Sequence, residues 1–211
     1  STRPYKIHTY GREILAENVL IATGASPVHL NVPGEQLLTG RGVSYCGTCD
    51  GWFFRGKNVA VIGGGDSALE EGIFLTRFAE TVTIIHRRDS LRAGAILQKR
   101  AFENPKINFI WDTVVESING DDKVESITVK NVQTGKVNEI PFDGVFVFIG
   151  HSPNTEVLGG QIELDDHGYV QVDRHYRTNI PGVYAAGEIC DPHYKQVVVS
   201  AGMGAAAAIE V

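Results

Sequence analysis

The chain has 211 residues, 43% hydrophobic and 21% charged, which is typical of a globular protein. Its formal net charge of −6 argues against a nucleic-acid-binding protein and against a basic membrane-binding surface. Its longest apolar runs, such as residues 197–209, are rich in small residues and too short to span a bilayer, so we expect neither nucleic acid nor membrane as a partner.

The chain opens with Ser-Thr-Arg-Pro-Tyr instead of Met and runs directly into strand-like sequence. We expect it to be the larger part of a longer protein, and an ordinary start after removal of Met is the alternative. Strands are predicted at residues 5–10 and 18–22. The Pro- and Gly-rich stretch 26–42 is interpreted as a linker or surface loop.

A β-α-β rhythm fills the middle of the chain, and an antiparallel meander follows it. The predicted elements are, in order, strand 58–62, helix 66–78, strand 81–85, helix 93–102, strands 107–111, 114–118, 124–132 and 145–149, a hairpin around 166–168, strand 183–186 and a closing helix from about Gln196. The predicted fold class is therefore α/β, with parallel βαβ units and a meander.

Residues 59–68 have the pattern of a strand, a glycine turn and a helix start, with G-x-G-x-x-A at Gly63, Gly65 and Ala68. Gly63 permits a tight turn, Gly65 has no side chain to block a pyrophosphate, and Ala68 lets the helix pack closely. Phosphates would then meet the free N–H groups at the positive end of the helix. The predicted dinucleotide contacts are Gly63, Gly64, Gly65, Asp66, Ser67 and Ala68, and a glycine-rich turn without a ligand is the alternative.

The strand after this helix ends in His86, Arg87 and Arg88, and Arg92 follows. An NAD site usually has a carboxylate here to accept from the ribose 2′-hydroxyl, and this chain has guanidinium groups instead. The planar fork of arginine suits a 2′-phosphate. The sequence therefore predicts NADPH in preference to NADH, and a solvated basic turn is the alternative.

Residues 46–50 form a C-x-x-C motif followed by Asp50. Two residues between Cys46 and Cys49 allow an intramolecular disulfide. A helix starting there would stabilise a thiolate, the attacking species in thiol–disulfide exchange. Asp50 is a candidate to pass a proton to the leaving thiolate. A buried reduced pair without function is the alternative.

A structural zinc site needs four ligands. The sequence has no second C-x-x-C, and its histidines, among them His29, His86 and His193, lack ligand spacing, so no metal site is predicted. Cys190 is interpreted as a small buried hydrophobic residue. With three cysteines and a close pair, a reducing cytoplasm is the expected location.

Taken in order, six segments resemble low-molecular-weight thioredoxin reductases: residues 22–25, 42–51, 61–68, 86–92, 149–155 and 180–191. The resemblance is specific, because in that family the C-x-x-C lies just before the nucleotide-binding strand. It implies a homodimeric enzyme that uses FAD and NADPH to reduce thioredoxin. The implied fold is an NADPH-binding Rossmann-like domain, residues 29–153, inserted into a partial FAD-binding domain made of residues 1–28 and 154–211.

The resemblance also implies that hydride passes from NADPH to FAD and that the flavin then reduces the Cys46–Cys49 disulfide. Cys49 would be the thiol next to the flavin, Cys46 the thiol that attacks thioredoxin, and Asp50 the acid. The NADPH domain would swing on linkers near Val28 and Asn154. The other cofactor contacts that it implies are Ala22, Thr23, Gly24, Ile149, Gly150, Gly187, Glu188, Asp191, Lys195, Gln196 and Val197.

The sequence departs from the family pattern in places. No glycine fingerprint for FAD precedes Ser1, so we expect this chain by itself to bind FAD weakly or not at all and to be inactive. Gly47 stands where Ala is commoner, and Glu188 where Asp is more usual. Two rival functions remain: an NADH-dependent flavoprotein that reduces a peroxiredoxin or alkyl hydroperoxide reductase partner, and a non-catalytic NADPH-binding module.

Overall fold

The computed structural model describes residues 3–211. Its strands are β1 (Tyr5–Thr9), β2 (Arg12–Ala16), β3 (Val19–Ile21), β4 (Ala25–Pro27), β5 (Val43–Ser44), β6 (Asn58–Ile62), β7 (Thr81–Ile85), β8 (Ile107–Ile110), β9 (Thr113–Asn119), β10 (Ser126–Asn131), β11 (Val137–Pro141), β12 (Gly144–Val147), β13 (His151–Pro153) and β14 (Val183–Ala185). Its helices are α1 (Glu35–Leu38), α2 (Gly47–Asp50), α3 (Asp66–Leu75), α4 (Ala95–Phe102) and α5 (Val197–Glu210), with 3-10 turns at Gly51–Phe54 and Glu156–Leu158.

The chain divides into two compact units. One continuous stretch, residues 27–150, forms what we call the central unit. Residues 3–26 and 151–211 together form the flanking unit. Within residues 3–211, no helix combines the length and the apolar character needed to cross a membrane.

A five-stranded parallel sheet in the order β5-β12-β6-β7-β8 forms the middle of the central unit. Along β6, Val59 and Val61 pack into one apolar cluster while Ala60 and Ile62 pack into another, and all four are buried. Strands of a parallel sheet that is covered on both faces need such a continuous apolar run. Helices α3 and α4 cover the first face, and the antiparallel strands β9, β10 and β11 cover the second. The predicted α/β class with a parallel sheet and a meander is confirmed.

Helix α3 follows β6 and buries Ala68, Leu69 and Leu75 against the sheet. It ends at Leu75, earlier than the predicted residue 78. The ammonium group of Lys106 donates to the carbonyls of Thr76 at 3.2 Å and Ala79 at 2.9 Å. These bonds satisfy carbonyl groups that a longer helix would have used, so the chain turns there.

The prediction of a loop across residues 26–42 is wrong for its second half. Helix α1 lies there, with Leu38 fully buried and Glu35 only 3% exposed. The Glu35 carboxylate accepts hydrogen bonds from the backbone N–H of Leu30 at 2.9 Å and of Asn31 at 2.7 Å. The Pro and Gly residues correctly predicted interruptions of regular structure. A helix of four residues is too short to show a repeat of apolar positions in the sequence.

The flanking unit contains the parallel pair β3-β14, which aligns Val19 with Val183, and the antiparallel hairpin β1-β2. Its apolar cluster includes Ile21, Ile162 and Ile189. Strand β4 pairs with β13. The sequence analysis missed β2, and in the central unit it missed β11, because these strands are largely exposed and lack a clear apolar alternation.

The buried position of Leu38 predicts a large loss of stability in Leu38→Ala. Removing buried methyl groups costs about 2–5 kcal/mol because a cavity remains. Leu37→Ala is the matched control, since Leu37 is 66% exposed. The chain has two tryptophans, Trp52 and Trp111, both in the central unit, so urea unfolding followed by tryptophan fluorescence reports on that unit. Equal midpoints for the two variants would contradict the packing described for α1.

Candidate functional site

The C-x-x-C segment forms a disulfide between Cys46 and Cys49, with an S–S distance of 2.04 Å. Cys46 precedes α2, and its Sγ accepts from the backbone N–H of Cys49 at 3.1 Å. The Thr48 hydroxyl lies 3.3 Å from the same sulfur. Two donors aimed at one sulfur stabilise negative charge on it once the disulfide opens. Residues 3–211 contain no group of three or more His, Cys, Asp or Glu side chains placed to hold a metal ion.

Ser44, the last residue of β5, holds Asp50 beside this turn. Its hydroxyl donates to Asp50 Oδ2 at 2.6 Å and accepts from the backbone N–H of Cys46 at 3.1 Å. Ser44 is 5% exposed, which protects these bonds from water. The carboxylate of Asp50 is therefore fixed relative to the first cysteine.

A second network surrounds Tyr45, the residue before Cys46. Its hydroxyl donates to Glu35 Oε1 at 2.9 Å and lies 2.7 Å from His29 Nδ1. Burial, together with the Glu35 carboxylate, raises the pKa of Tyr45 to about 12. The phenol therefore stays neutral and ties the cysteine strand to residues 29–35.

The glycine turn after β6 has a specific steric reason at each of its first two positions. Gly63 has φ of +150°, and a Cβ there would collide with the carbonyl oxygen of Phe148. A Cβ on Gly64 would collide with the imidazole ring of His86. Gly65 faces open space, and α3 begins immediately after it. An incoming phosphate therefore has room at Gly65 and meets the start of α3.

The backbone of this turn also holds residues 86–92, which we call the arginine loop. The carbonyl oxygen of Gly64 accepts from the N–H groups of Arg92 at 2.8 Å and Ala93 at 3.2 Å. Asp66 Oδ1 accepts from the N–H of Gly94 at 2.7 Å, at the start of α4. Residues 92–94 are thereby fastened to the first turn of α3.

A cavity of about 370 Å³ lies at the carboxyl ends of β6, β7 and β12. Ligands of open parallel sheets bind at this end, where the strand order changes direction. The cavity wall is apolar at Ile62, Phe148 and Ile149 and positively charged at Arg87 and Arg92. Its shape and charge suit a nucleotide with an additional phosphate.

His86 lies in this wall and is 6% exposed. Its Nε2 is buried and has no hydrogen-bond partner within residues 3–211. Burial lowers the pKa of His86, and the guanidinium groups of Arg92, Arg88 and Arg87 lower it further. The imidazole is therefore neutral at pH 7, and the positive charge of the cavity comes from the arginines.

The flanking unit has a separate cavity of about 200 Å³. Small residues form most of its wall, namely Ala22, Gly24, Ala25, Ala186, Gly187, Ser200 and Gly204, and Glu188 adds a carboxylate. The cavity therefore leaves room for a flat group beside the end of β14 and the start of α5.

The family model described as pyridine nucleotide-disulphide oxidoreductase matches residues 3–204. The chain belongs to this family. Within the family it is similar to thioredoxin reductases, being 48% identical over 203 residues to that of Streptomyces coelicolor and 48% identical over 216 residues to that of Rickettsia felis. The resemblance inferred from the sequence is confirmed, and the relatives do not favour the NADH-dependent rival.

Solved structures of thioredoxin reductases are similar in fold to this chain. The crystal structure of thioredoxin reductase from Streptococcus pyogenes gives a TM-score of 0.88 at 47% identity and covers 96% of this chain, and the enzyme from Giardia duodenalis gives 0.89 at 39% and covers 100%. The chain spans about two thirds of these relatives: 63% of the Streptomyces protein, 70% of the Rickettsia protein, 66% of the Streptococcus chain and 70% of the Giardia chain. The alignments with the Streptomyces and Rickettsia proteins include 96% and 100% of this chain.

The family fold brings most of the predicted residues to two places. Gly63, Gly64, His86, Arg87, Arg92 and Ile149 line the larger cavity. Ala22, Gly24, Gly187 and Glu188 line the smaller one. Gly65, Asp66 and Ser67 lie at the start of α3, while Ala68 is fully buried and packs against the sheet. Arg88 is exposed beside the larger cavity, and Gly150 accepts from the N–H of Val28 at 3.0 Å.

The remaining predicted residues have contacts inside the flanking unit. The Thr23 hydroxyl donates to the Asn154 carbonyl at 2.8 Å. The buried Asp191 carboxylate accepts from the N–H of His193 at 2.9 Å and shapes the turn before α5. Lys195 Nζ lies 3.2 Å from His151 Nδ1. Gln196 and Val197 begin α5.

Sequence reasoning missed Ser44, His29 and Glu71. A serine two residues before the first cysteine is a weak signal for a side chain that caps the turn. His29 lies within the Pro- and Gly-rich stretch, and no sequence pattern indicated that it lines the cavity. Glu71 faces the C-x-x-C turn from a helix that follows it in sequence, and no local pattern reveals such a contact.

The lowered pKa of His86 predicts a pH-dependent stability. Below the unfolded pKa of about 6.5 the unfolded chain takes up a proton that folded His86 resists. The contribution is fully present above that pH and is lost as the pH falls through the lower folded value. We expect His86→Gln to lose less of its urea midpoint than the wild type between about pH 7.5 and 5.5. His167→Gln, in an exposed turn, is the control, and parallel losses in all three proteins would contradict the assignment.

Proposed function

We propose that the protein is a thioredoxin-disulfide reductase that passes electrons from NADPH, through FAD, to the Cys46–Cys49 disulfide and then to thioredoxin. The observation that carries this proposal is a disulfide on the same compact unit as a basic dinucleotide cavity. The similarity to thioredoxin reductases supports the substrate.

The arginine loop supports NADPH as the electron donor. Strand β7 ends at Ile85 and is followed by His86 and the exposed Arg87 and Arg88, with no carboxylate at the place where an NAD site accepts from the ribose. The Gly64 carbonyl fixes the backbone of Arg92, so the loop that carries its guanidinium needs no ordering before it meets a 2′-phosphate. Neutral His86 adds a packing surface without adding charge.

The flanking unit fits part of an FAD site. A Cβ on Gly24 would meet open space, so no side chain fills the cavity from that side. Helix α5 is long enough to have a substantial positive end, and it favours negative charge near Gln196. The chemistry supplied by a bound FAD is two-electron transfer from a reduced nicotinamide to a disulfide.

The cysteine segment supports separate roles for its two sulfurs. The donors from Cys49 N and Thr48 act on Cys46 Sγ, so Cys46 holds the thiolate better and is the proposed attacking thiol. Cys49 is exposed and is the proposed sulfur nearer to the flavin. Asp50, held by Ser44, is the proposed acid for the leaving thiolate.

We also propose a homodimer and a cytoplasmic location. Helix α5 consists mainly of apolar and small residues, yet Val197 is 86% and Ile209 86% exposed. Exposed apolar helix faces of this size are typical of interaction surfaces. A reducing cytoplasm suits a protein whose cysteine pair cycles between disulfide and dithiol.

Alanine substitutions at Arg87 and Arg92 test the nucleotide preference. Each should weaken NADPH binding about tenfold, because a charge-assisted bond to the 2′-phosphate is lost, while NADH binding stays unchanged. Arg77→Ala, an exposed arginine of the same unit, is the control. The measurement is the nucleotide-induced rise in the melting temperature. Equal losses of NADPH binding and NADH binding would mean that the arginines do not bind the 2′-phosphate.

Cys46→Ser tests the proposed reaction in whichever form of the protein, this chain or a longer one that contains it, retains FAD. We expect NADPH-dependent thioredoxin reduction to fall at least about 100-fold, because the attacking sulfur is gone, while NADPH still bleaches the flavin absorbance. Cys190→Ser should keep the wild-type rate, since burial raises the pKa of that thiol to about 11. Wild-type turnover in the Cys46 variant would refute the proposed function.

A further inference from the structure

Glu71 on α3 reaches the first turn of the C-x-x-C segment. Its Oε2 occupies the place that a Cβ on Gly47 would take. The same oxygen is buried and has no hydrogen-bond partner within residues 3–211. A half-buried carboxyl group therefore lies against the residue next to Cys46, and none of the roles proposed above uses it.

The charged groups around Glu71 do not neutralise it. Glu70 precedes it on α3, α2 contributes Asp50 and Cys49, and Cys46 lies directly before α2. On α4, which packs against α3, the charged side chains are the exposed Lys99 and Arg100, and Glu103 follows the helix. Burial is the largest influence and raises the pKa of Glu71, and Glu70 raises it further. The nearby backbone N–H groups of Thr48 and Gly47 oppose this rise, although neither makes a hydrogen bond with Oε2.

The Glu71 carboxyl lies against Gly47, the residue after Cys46. A carboxylate there and a thiolate on Cys46 disfavour each other, since both are negative and the carboxyl is partly removed from water. In the disulfide the sulfurs carry no charge, so Glu71 can ionise more easily. In the dithiol, a thiolate on Cys46 makes the protonated form of Glu71 more favourable. The two titrations are therefore coupled.

We propose that Glu71 shares a proton with Cys46 when the Cys46–Cys49 disulfide is reduced, a role that rests on the proposed function. Reduction breaks the S–S bond with two electrons and two protons. One proton goes to Cys49 to give a thiol, and the other is shared between the Glu71 carboxyl and the Cys46 sulfur, which titrate as a coupled pair. When the S–S bond re-forms, the two electrons pass to the substrate disulfide and both protons are released.

The test measures the pH dependence of cysteine alkylation in the 211-residue chain reduced by a phosphine. Rates with iodoacetamide, followed by mass spectrometry, give the midpoint for thiolate formation. Glu71→Gln cannot carry a negative charge, so its midpoint should fall by about half a pH unit or more relative to wild type. Glu70→Gln, an exposed acid on the same helix, is the matched control and should shift the midpoint by less than half as much. An unchanged midpoint in Glu71→Gln, or equal shifts in both variants, would overturn the proposal.

Gly47→Ala is a second and independent variant, because its methyl group displaces the Glu71 carboxyl. The midpoint should again fall, and adding Glu71→Gln should lower it no further, since both changes remove one interaction. An unchanged midpoint or additive shifts would overturn the proposal, and this variant serves if Glu71→Gln does not fold. Alkylation needs neither FAD nor thioredoxin, so the result stands apart from any failure of the proposed function.

Discussion

The nucleotide cavity depends on the hydrogen bonds that the carbonyl group of Gly64 accepts. This carbonyl accepts two backbone hydrogen bonds from residues 92 and 93, so the arginine loop cannot move away from the start of α3. Each such bond contributes about 1 kcal/mol, and the pair fixes a loop whose side chains are otherwise exposed. The absence of a side chain at Gly64 lets the His86 ring pack against the turn. Gly64 thus fixes the backbone of the arginine loop and leaves room for the buried His86 ring.

Helix α3 connects this cavity with the disulfide. Its first turn carries the glycine loop, and its next turn places Glu71 against Gly47. Since the helix is packed on a sheet that is buried on both faces, the two sites are held by one rigid element. The central unit therefore contains both the donor site and the acceptor sulfurs of the proposed reaction, whereas the small-walled cavity belongs to the flanking unit.

Local patterns were sufficient to predict the strand–glycine–helix unit, the basic end of β7 and the C-x-x-C turn, because each depends on neighbours in sequence. Contacts across the chain were not predictable. The early end of α3 depends on Lys106, about thirty residues away. Gly64 was predicted only as one of the dinucleotide contacts, and the structure adds the packing of His86 against it. The burial of α1 and the contact of Glu71 depend on tertiary packing, which a periodic pattern does not specify.

The most direct test of the account is to follow the sulfurs after one equivalent of NADPH is added to a form of the protein, this chain or a longer one that contains it, that retains FAD. Alkylation and mass spectrometry should then find two new labels, on Cys46 and Cys49, while the half-buried Cys190 stays unlabelled. One equivalent of NADH should give far less labelling at the same concentration. Oxidation of NADPH with the Cys46–Cys49 bond still intact would contradict the claim that this disulfide receives the electrons.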